Sequence, residues 1–548
     1  MSSTRPSFLD YAPVPLAFGT SGLRGLVKDI TDLEAYINVK GGLRYLIATG
    51  DIRAGCRVVV AGDLRPSTDR ILAAAARAIV DEGCHVDNAG KIPTPALIAH
   101  AIRSRAAGVM VTGSHIPFDR NGIKMSRSVG EILKSDEAGI AREVARVRDE
   151  EYGRAADDSP FDSKGGLRMP ATLPPVDRAA EEAYVRRYTG GFPRGCLAGM
   201  RVIVYEHSAV GREVLSRILR ELGAEVIAMG RSDTFVALDT ENVTGGQIDR
   251  LEGLVIAAER QGFDAQAVVS TDGDSDRPLV AAVVPGSEAG HGGRRVRFLP
   301  GDLLGLVVAE LLSAGAAAVP ISANDAVECR LRERGAFLQK TKIGSPYVVS
   351  AIDEMTRAGR KTPIVGWEAN GGFLLGSDVT LGGAAIAALP TRDSVLPILA
   401  NLFAAARQGI ALTALWHGLP KRFGASGLLD EVPVSVTRAL MALLAAPGDA
   451  TEVDFALDAP PPGWREIRAR LARAFTPALG FGEIVRVNVL DGVRATFHNG
   501  DVAHVRPSGN APQLRIYSNS DSQERADFIV AEGLREPDGI LRALVAET

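Results

Sequence analysis

Apolar and polar positions follow two different rhythms along this chain, and the switch between them marks its organisation. Residues 57–61 are an apolar, β-rich run. Residues 67–82 then place Ile71, Leu72, Ala75, Ile79 and Val80 at helical spacing, with Ser67 where an N-cap belongs. A second helical pattern covers 94–103, opened by Pro95, and 106–111 is the next apolar strand. This βαβαβ order predicts a largely parallel sheet. The alternation returns twice. Strands at 201–205, 225–229 and 265–270 are separated by helices at 211–222 and 247–260. Helices at 302–313, 326–334 and 346–358 interleave with strands at 318–322, 337–341 and 362–365. The last region differs: an amphipathic helix at 464–475 precedes alternating residues at 483–519, with turn signals at Asp491-Gly492 and Asn499-Gly500, and a covering helix follows at 523–534. That is the pattern of an antiparallel meander. The expectation is an α/β chain of three similar tandem domains with mixed sheets, at 1–165, 176–300 and 301–420. A C-terminal α+β domain with an antiparallel sheet follows at 421–548. Residues 157–175, 285–295 and 459–464 are expected to be connecting loops, the second of them a hairpin tip.

Length agrees with several domains, since 548 residues exceed what one core serves. A hydrophobic fraction of 46% and a charged fraction of 23% are those of a globular protein. The net charge of −4 gives no reason to expect a nucleic-acid partner. The four cysteines, Cys56, Cys84, Cys196 and Cys329, lie far apart in sequence without metal-ligand spacing, which suggests reduced, partly buried thiols. The first ten residues lack a signal pattern, and no apolar stretch reaches the length of a membrane span. The longest, 306–319, is interrupted by Glu310 and reads as a buried helix. The expectation is a cytoplasmic protein without a membrane partner.

Chemistry changes the picture more than composition does. Thr112-Gly113-Ser114-His115-Ile116-Pro117 follows the apolar run 106–111, so Ser114 stands at the carboxyl end of a strand, where open α/β sheets bind ligands. A serine hydroxyl needs help to act as a nucleophile, and His115, a nearby cation or a phosphate on the serine could provide it. No Gly-x-Ser-x-Gly pattern surrounds it, which argues against acyl transfer. Asp272, Asp274 and Asp276 follow another apolar strand. Three carboxylates so close repel unless a cation neutralises them, and hard oxygen ligands suit Mg²⁺. A calcium EF-hand is excluded by Arg277 and Val283 at its sixth and twelfth positions. Lys124, just beyond Ser114, is a candidate proton carrier if the pocket lowers its pKa. Glu368 and Asn370, on a glycine-rich loop after a strand, suit vicinal sugar hydroxyls. Arg506, Ser508, Gly509 and Asn510 form a turn fit for an anion, because an arginine fork matches phosphate and glycine permits close backbone approach.

Taken with the opening Phe18-Gly19-Thr20-Ser21-Gly22-Leu23-Arg24-Gly25, these loops resemble, in order and spacing, the α-D-phosphohexomutase superfamily. The resemblance spans nearly the whole chain. It implies four domains around a central cleft and a phosphoserine at Ser114. It implies Mg²⁺ held by Asp272, Asp274, Asp276 and a phosphoserine oxygen. It places Arg24 and Arg277 near the transferring phosphoryl group, and His115 and Lys124 near the reacting hydroxyl. Glu368 and Asn370 would read sugar hydroxyls, and Arg506, Ser508, Gly509 and Asn510 would clamp the phosphate that does not react. Lys342 and Ser345, in the loop 341–347, are further candidate contacts. Some residues depart from the family pattern: Gly113 and Ile116 stand where Ala and Asn are frequent, Ser275 replaces a usual Gly, Asn370 a common Ser, and Asn510-Ala511 a common Thr-Glu.

The implied reaction moves a phosphoryl group between O1 and O6 of a hexose phosphate through a 1,6-bisphosphate, with glucose or mannose 1,6-bisphosphate as activator. Phosphomannomutase is the favoured reading, ahead of phosphoglucomutase and phosphoglucosamine mutase. A sugar-phosphate phosphatase and a non-catalytic sugar-phosphate sensor are the alternatives of other classes. The assembly is expected to be a monomer or homodimer.

Overall fold

The computed structural model describes residues 8–19, 22–169, 171–284, 295–446, 448–456, 460–507 and 512–548. The chain forms two compact units. The first comprises Met1–Ala318 and Gly344–Trp416, the second Val319–Ile343 and His417–Thr548.

The first unit holds two mixed sheets and most of a third. In the first, Arg57–Gly62 pairs in parallel with His85–Gly90 and Ala107–Val111, while Arg120–Arg127 runs antiparallel to Ala107–Val111 and to Leu23–Leu26. In the second, Arg201–His207 lies parallel to Glu225–Arg231 and Ala267–Thr271, and Pro278–Val283 folds back antiparallel. In the third, Ala316–Pro320 is parallel to Ile364–Trp367, followed by antiparallel Phe373–Leu375 and Leu389–Asp393. The fully buried strands read as continuous apolar runs because helices cover both faces. The expected parallel core of each sheet is present and each sheet is mixed, as expected; Arg120–Arg127 and Phe373–Leu375 are antiparallel strands that the alternation did not single out. The second unit carries a six-stranded antiparallel sheet containing Ile484–Asn488, Val493–Phe497, Val502–Pro507 and Leu514–Ser520, the predicted meander. The helices Trp464–Ala474 and Gln523–Leu534 pack on it through Ile467, Leu471 and Ile529.

Some local expectations change. Ser67 precedes the helix Thr68–Asp81 but makes no capping bond; its hydroxyl accepts instead from Asn121 Nδ2 at 2.8 Å. Residues 157–169 are more than a connector, because Phe161 is buried in the core of the first sheet and bridges Leu167. The apolar stretch 306–319 is the end of the helix Gly301–Leu311 and then a strand, since the chain turns at Leu312 and Ser313, the latter at φ 53°. Residues 285–294 lie outside the described residues, but Pro278–Val283 and Val296–Phe298 on either side pair antiparallel, as a hairpin requires. The parallel register Arg57↔His85 brings Cys56 and Cys84 together, with sulfurs 3.8 Å apart. Burial, reinforced by the neighbouring thiol, pushes Cys56 up to about 12. Cys329, by contrast, is exposed. Among the described residues no helix is long and apolar enough to cross a membrane.

His207 gives the second sheet a built-in acid sensitivity. It is fully buried, its Nε2 donates to the Thr271 carbonyl at 2.7 Å, and its Nδ1 has no partner. Burial lowers its pKa to about 4. A depressed histidine contributes stability that is complete above its unfolded value near 6.5 and is lost as pH falls toward 4, at most roughly 3 kcal/mol. His207→Gln should therefore flatten the decline of the thermal midpoint between those two pH values. A decline as steep as the wild type's would contradict this.

Candidate active site

The serine loop begins where the strand Ala107–Val111 ends. Ser114 has a positive φ of 55°, and its N–H donates to Thr112 Oγ1 at 2.8 Å. That turn directs the hydroxyl away from the strand and onto the second sheet's loop: Ser114 Oγ donates to Asp272 Oδ2 at 2.6 Å. His115 Nδ1 lies 3.3 Å from the same oxygen. Burial, then the cationic charges of Arg277 and Arg24, push His115 down to about 2, so its ring is neutral at physiological pH.

The aspartate loop leaves the strand Ala267–Thr271 and turns back into Pro278–Val283. The turn makes the three carboxylates converge: an oxygen from each of Asp272, Asp274 and Asp276 lies within 4.8 Å of the others, and all three residues are fully buried. Ser275 explains its own departure from the family's glycine. It sits at φ 57°, where a side chain costs energy, but its Oγ accepts from Gly211 N at 2.9 Å and bonds Thr271 Oγ1 at 2.8 Å. The cluster is electrostatically divided. Burial and its two acidic neighbours hold Asp272 well above the carboxylate range. Asp274, despite burial, is held below it by Lys124 and by Thr94 Oγ1 at 2.6 Å. Asp276 is lowered chiefly by Arg392.

Lys124 comes from the strand Arg120–Arg127 and bonds Asp274 at 2.6 Å and Asp276 at 2.9 Å. Burial opposes its charge, but the two carboxylates outweigh burial and raise its pKa, opposite to the lowering read from the sequence. Arg24, next to it across the pairing Arg24↔Gly122, is lowered to about 10 by burial and by the nearby Arg277 and Arg392. Arg277 lies 3.7 Å from Asp276 and 3.8 Å from Asp239.

The glycine-rich loop after Ile364–Trp367 brings Glu368 into the same cluster through a residue that no sequence signal singled out. Arg392 donates to Asp276 Oδ2 at 3.1 Å from Nε and to Glu368 Oε2 at 3.2 Å from Nη1. Its neighbours are equally committed: Thr391 donates to Glu131, Asp393 accepts from Tyr184 and Tyr188, and Ser394 donates to the Ser275 carbonyl. Four consecutive buried residues thus tie the third sheet to the first sheet's hairpin, the helix Ala179–Gly191 and the aspartate loop. Arg392→Ala leaves two buried carboxylates without this partner, and a loss of roughly 3–5 kcal/mol is expected. Chemical denaturation should record it; an unchanged midpoint would contradict the role.

Asn370 lies on the same loop, but its side-chain oxygen accepts from Gly372 N at 2.9 Å and shapes the turn. Ser345 is fully buried and donates to Glu131. Lys342 and Arg506 belong to the second unit. Lys342 is exposed. Arg506 donates to Asp491 Oδ1 at 3.0 Å, and the other oxygen of Asp491 accepts from Ile343 N, so Asp491 ties Ile343 to the arginine's strand. Ser508, Gly509 and Asn510 lie outside the described residues.

The donor set fits a divalent cation. Asp274 Oδ1 and Asp276 Oδ1 are buried with no hydrogen-bond partner, and all three side chains offer hard oxygen. A buried serine against a carboxylate cation site, ringed by arginines, is the apparatus of phosphoryl transfer on a polyanionic substrate. The comparisons with known proteins give this class its family. The models of phosphoglucomutase/phosphomannomutase α/β/α domains I and III match residues 15–151 and 300–423, and that of the C-terminal domain matches 461–535. The chain is 35% identical to a phosphomannomutase of Sinorhizobium fredii, covering 94% of this chain and 98% of the relative. It is 36% identical to one of Salmonella muenchen, covering 94% of each. A solved phosphoglucomutase/phosphomannomutase family protein from Burkholderia thailandensis superposes with a TM-score of 0.66 at 19% identity, covering 96% of this chain and 97% of that one. The chain belongs to the phosphoglucomutase/phosphomannomutase family of the α-D-phosphohexomutase superfamily, as its loops suggested.

Proposed function

We propose that this protein interconverts hexose 1-phosphate and hexose 6-phosphate through a phosphoserine at Ser114, with mannose phosphates as the preferred substrates. The observation that carries the reading is the contact of Ser114 Oγ with Asp272 at 2.6 Å, which sets the nucleophile against the carboxylate cluster. The preference for mannose rests on the two phosphomannomutases that match nearly end to end.

Asp272, Asp274, Asp276 and an oxygen of phosphorylated Ser114 would hold Mg²⁺, which when bound neutralises charge on the transferring group. Arg24 and Arg277, whose charges bear on His115 beside the serine, are assigned to the equatorial phosphoryl oxygens. The sugar hydroxyl attacks phosphorus, the bond from phosphorus to Ser114 Oγ breaks, and a 1,6-bisphosphate results. The hydroxyl's proton must leave as the new bond forms, and Lys124 is assigned to carry it; its two carboxylate contacts hold it charged, so it must first give up its own proton, a loss that a cation bound on the same carboxylates would favour. Glu368 is assigned to sugar hydroxyls. Arg506 with Ser508, Gly509 and Asn510 is assigned to the phosphate that does not react. Return of the other phosphoryl group to Ser114 completes the cycle, so a 1,6-bisphosphate also serves to charge the free enzyme. The domain bounds that accompany this reading are 1–165, 176–300, 301–420 and 421–548, and cytoplasmic chemistry on a soluble substrate follows from it.

The test is conversion of mannose 1-phosphate, glucose 1-phosphate and glucosamine 1-phosphate side by side, with Mg²⁺ and a trace of glucose 1,6-bisphosphate. Higher kcat/KM on mannose 1-phosphate is expected. Preference for another sugar would overturn the sugar assignment, and inertness toward all three would overturn the mutase reading.

A further inference from the structure

We propose that Arg65 is a positioning residue that sets the shape of the Ser114 loop and thereby the rate at which Ser114 accepts a phosphoryl group. The inference rests on the phosphoserine reading above. Arg65 follows the strand Arg57–Gly62, and its side chain is fully buried beneath the loop. A guanidinium has five N–H donors. One, on Nε, goes to Asp63 Oδ2 at 3.1 Å. The other four go to backbone carbonyls of a single short segment. Nη2 donates to Ser114 at 2.9 Å and Ile116 at 2.6 Å, and Nη1 donates to Pro117 at 2.6 Å and Arg120 at 2.9 Å. The ring of Phe235, from the second sheet's side, covers the guanidinium at 3.8 Å.

A buried arginine that only balanced Asp63 would not need this arrangement. Asp63 is already supplied by Thr68 Oγ1 at 2.8 Å and Thr112 Oγ1 at 2.7 Å, and Thr112 in turn accepts from Ser114 N. Asp63 and Arg65 therefore hold the nucleophile's backbone from both sides, one at its N–H through Thr112 and one at its carbonyl. Together they fix a residue whose φ of 55° is uncommon for serine. Four carbonyls pointing into one buried space also need a donor with a planar fork, and an ammonium with three donors on a flexible stem cannot replace it.

The experiment compares wild type, Arg65→Lys and the milder Phe235→Leu, which keeps the arginine but removes its cover. Three quantities are read: the rate at which glucose 1,6-bisphosphate phosphorylates Ser114, followed by mass, the Kd for hexose 6-phosphate, and trypsin cleavage after Arg120. Arg65→Lys should slow phosphorylation about 100-fold, as a displacement near an ångström does, while the Kd changes less than about threefold. Cleavage after Arg120 should accelerate at least about tenfold as the loop loosens. Phe235→Leu should move phosphorylation and cleavage the same way by a smaller factor, and it decides the matter if Arg65→Lys does not fold. Wild-type cleavage and phosphorylation rates in a folded variant would overturn the proposal. Failure of wild-type Ser114 to take phosphate would overturn the mutase reading instead, and the cleavage rates would still decide the role of Arg65.

Discussion

Ser114→Ala is expected to lower turnover by at least about 10⁴-fold with the fold intact, because removal of a covalent nucleophile takes with it everything its partners supply. Ser114 is 1% exposed and its side chain makes one short bond, to Asp272, so alanine removes a hydroxyl without opening a large cavity. The variant should also fail to gain mass on incubation with glucose 1,6-bisphosphate. Retained Mg²⁺ binding with lost turnover would separate the loss of the nucleophile from collapse of the site. Ordinary activity in Ser114→Ala would exclude the phosphoserine mechanism.

Asp274→Ala is expected to abolish metal binding measured by calorimetry and to lower turnover by about 10³-fold or more, since a metal supplies several kcal/mol of charge stabilisation in reactions of this class. The two readouts are linked by geometry. Asp274 is a centre of the cluster, accepting from Lys124 and Thr94 on one oxygen and keeping the other buried and unpartnered. Its loss leaves Lys124 with Asp276 alone. A metal titration indistinguishable from wild type would exclude this loop as the cation site.

How far the site could be read from sequence depends on where its information lies. Ser114, Asp272, Asp274, Asp276 and Glu368 sit on loops at strand ends, where polar residues among glycines stand out against apolar runs. Lys124 was legible by its closeness to Ser114, but its charge state was not: the carboxylates that raise it lie 150 and 152 residues away. Arg392 carries no local signal because its partner Asp276 is 116 residues distant and the surrounding residues resemble an ordinary strand end. Arg65 is similar, since only the folded loop turns four carbonyls toward it. The same division holds for the fold. Helices and parallel strands were visible as periodicity, and the C-terminal meander as alternation with turn signals. The antiparallel strands Arg120–Arg127 and Phe373–Leu375 were not, although each pairs with a strand close in sequence: the first is broken up by polar residues, and the second is only three residues long behind Gly371-Gly372. Ser67 shows the limit of capping rules: a nearby amide, Asn121, claimed the hydroxyl.

The most direct test of the central claim is a chase experiment. Enzyme carrying a radiolabelled phosphoryl group on Ser114 is isolated and mixed with excess unlabelled mannose 1-phosphate and Mg²⁺. Label is expected to leave the protein within a turnover and to appear first in mannose 1,6-bisphosphate, then in mannose 6-phosphate. Label released as inorganic phosphate, or label that stays on the protein while sugar phosphate is converted, would contradict it.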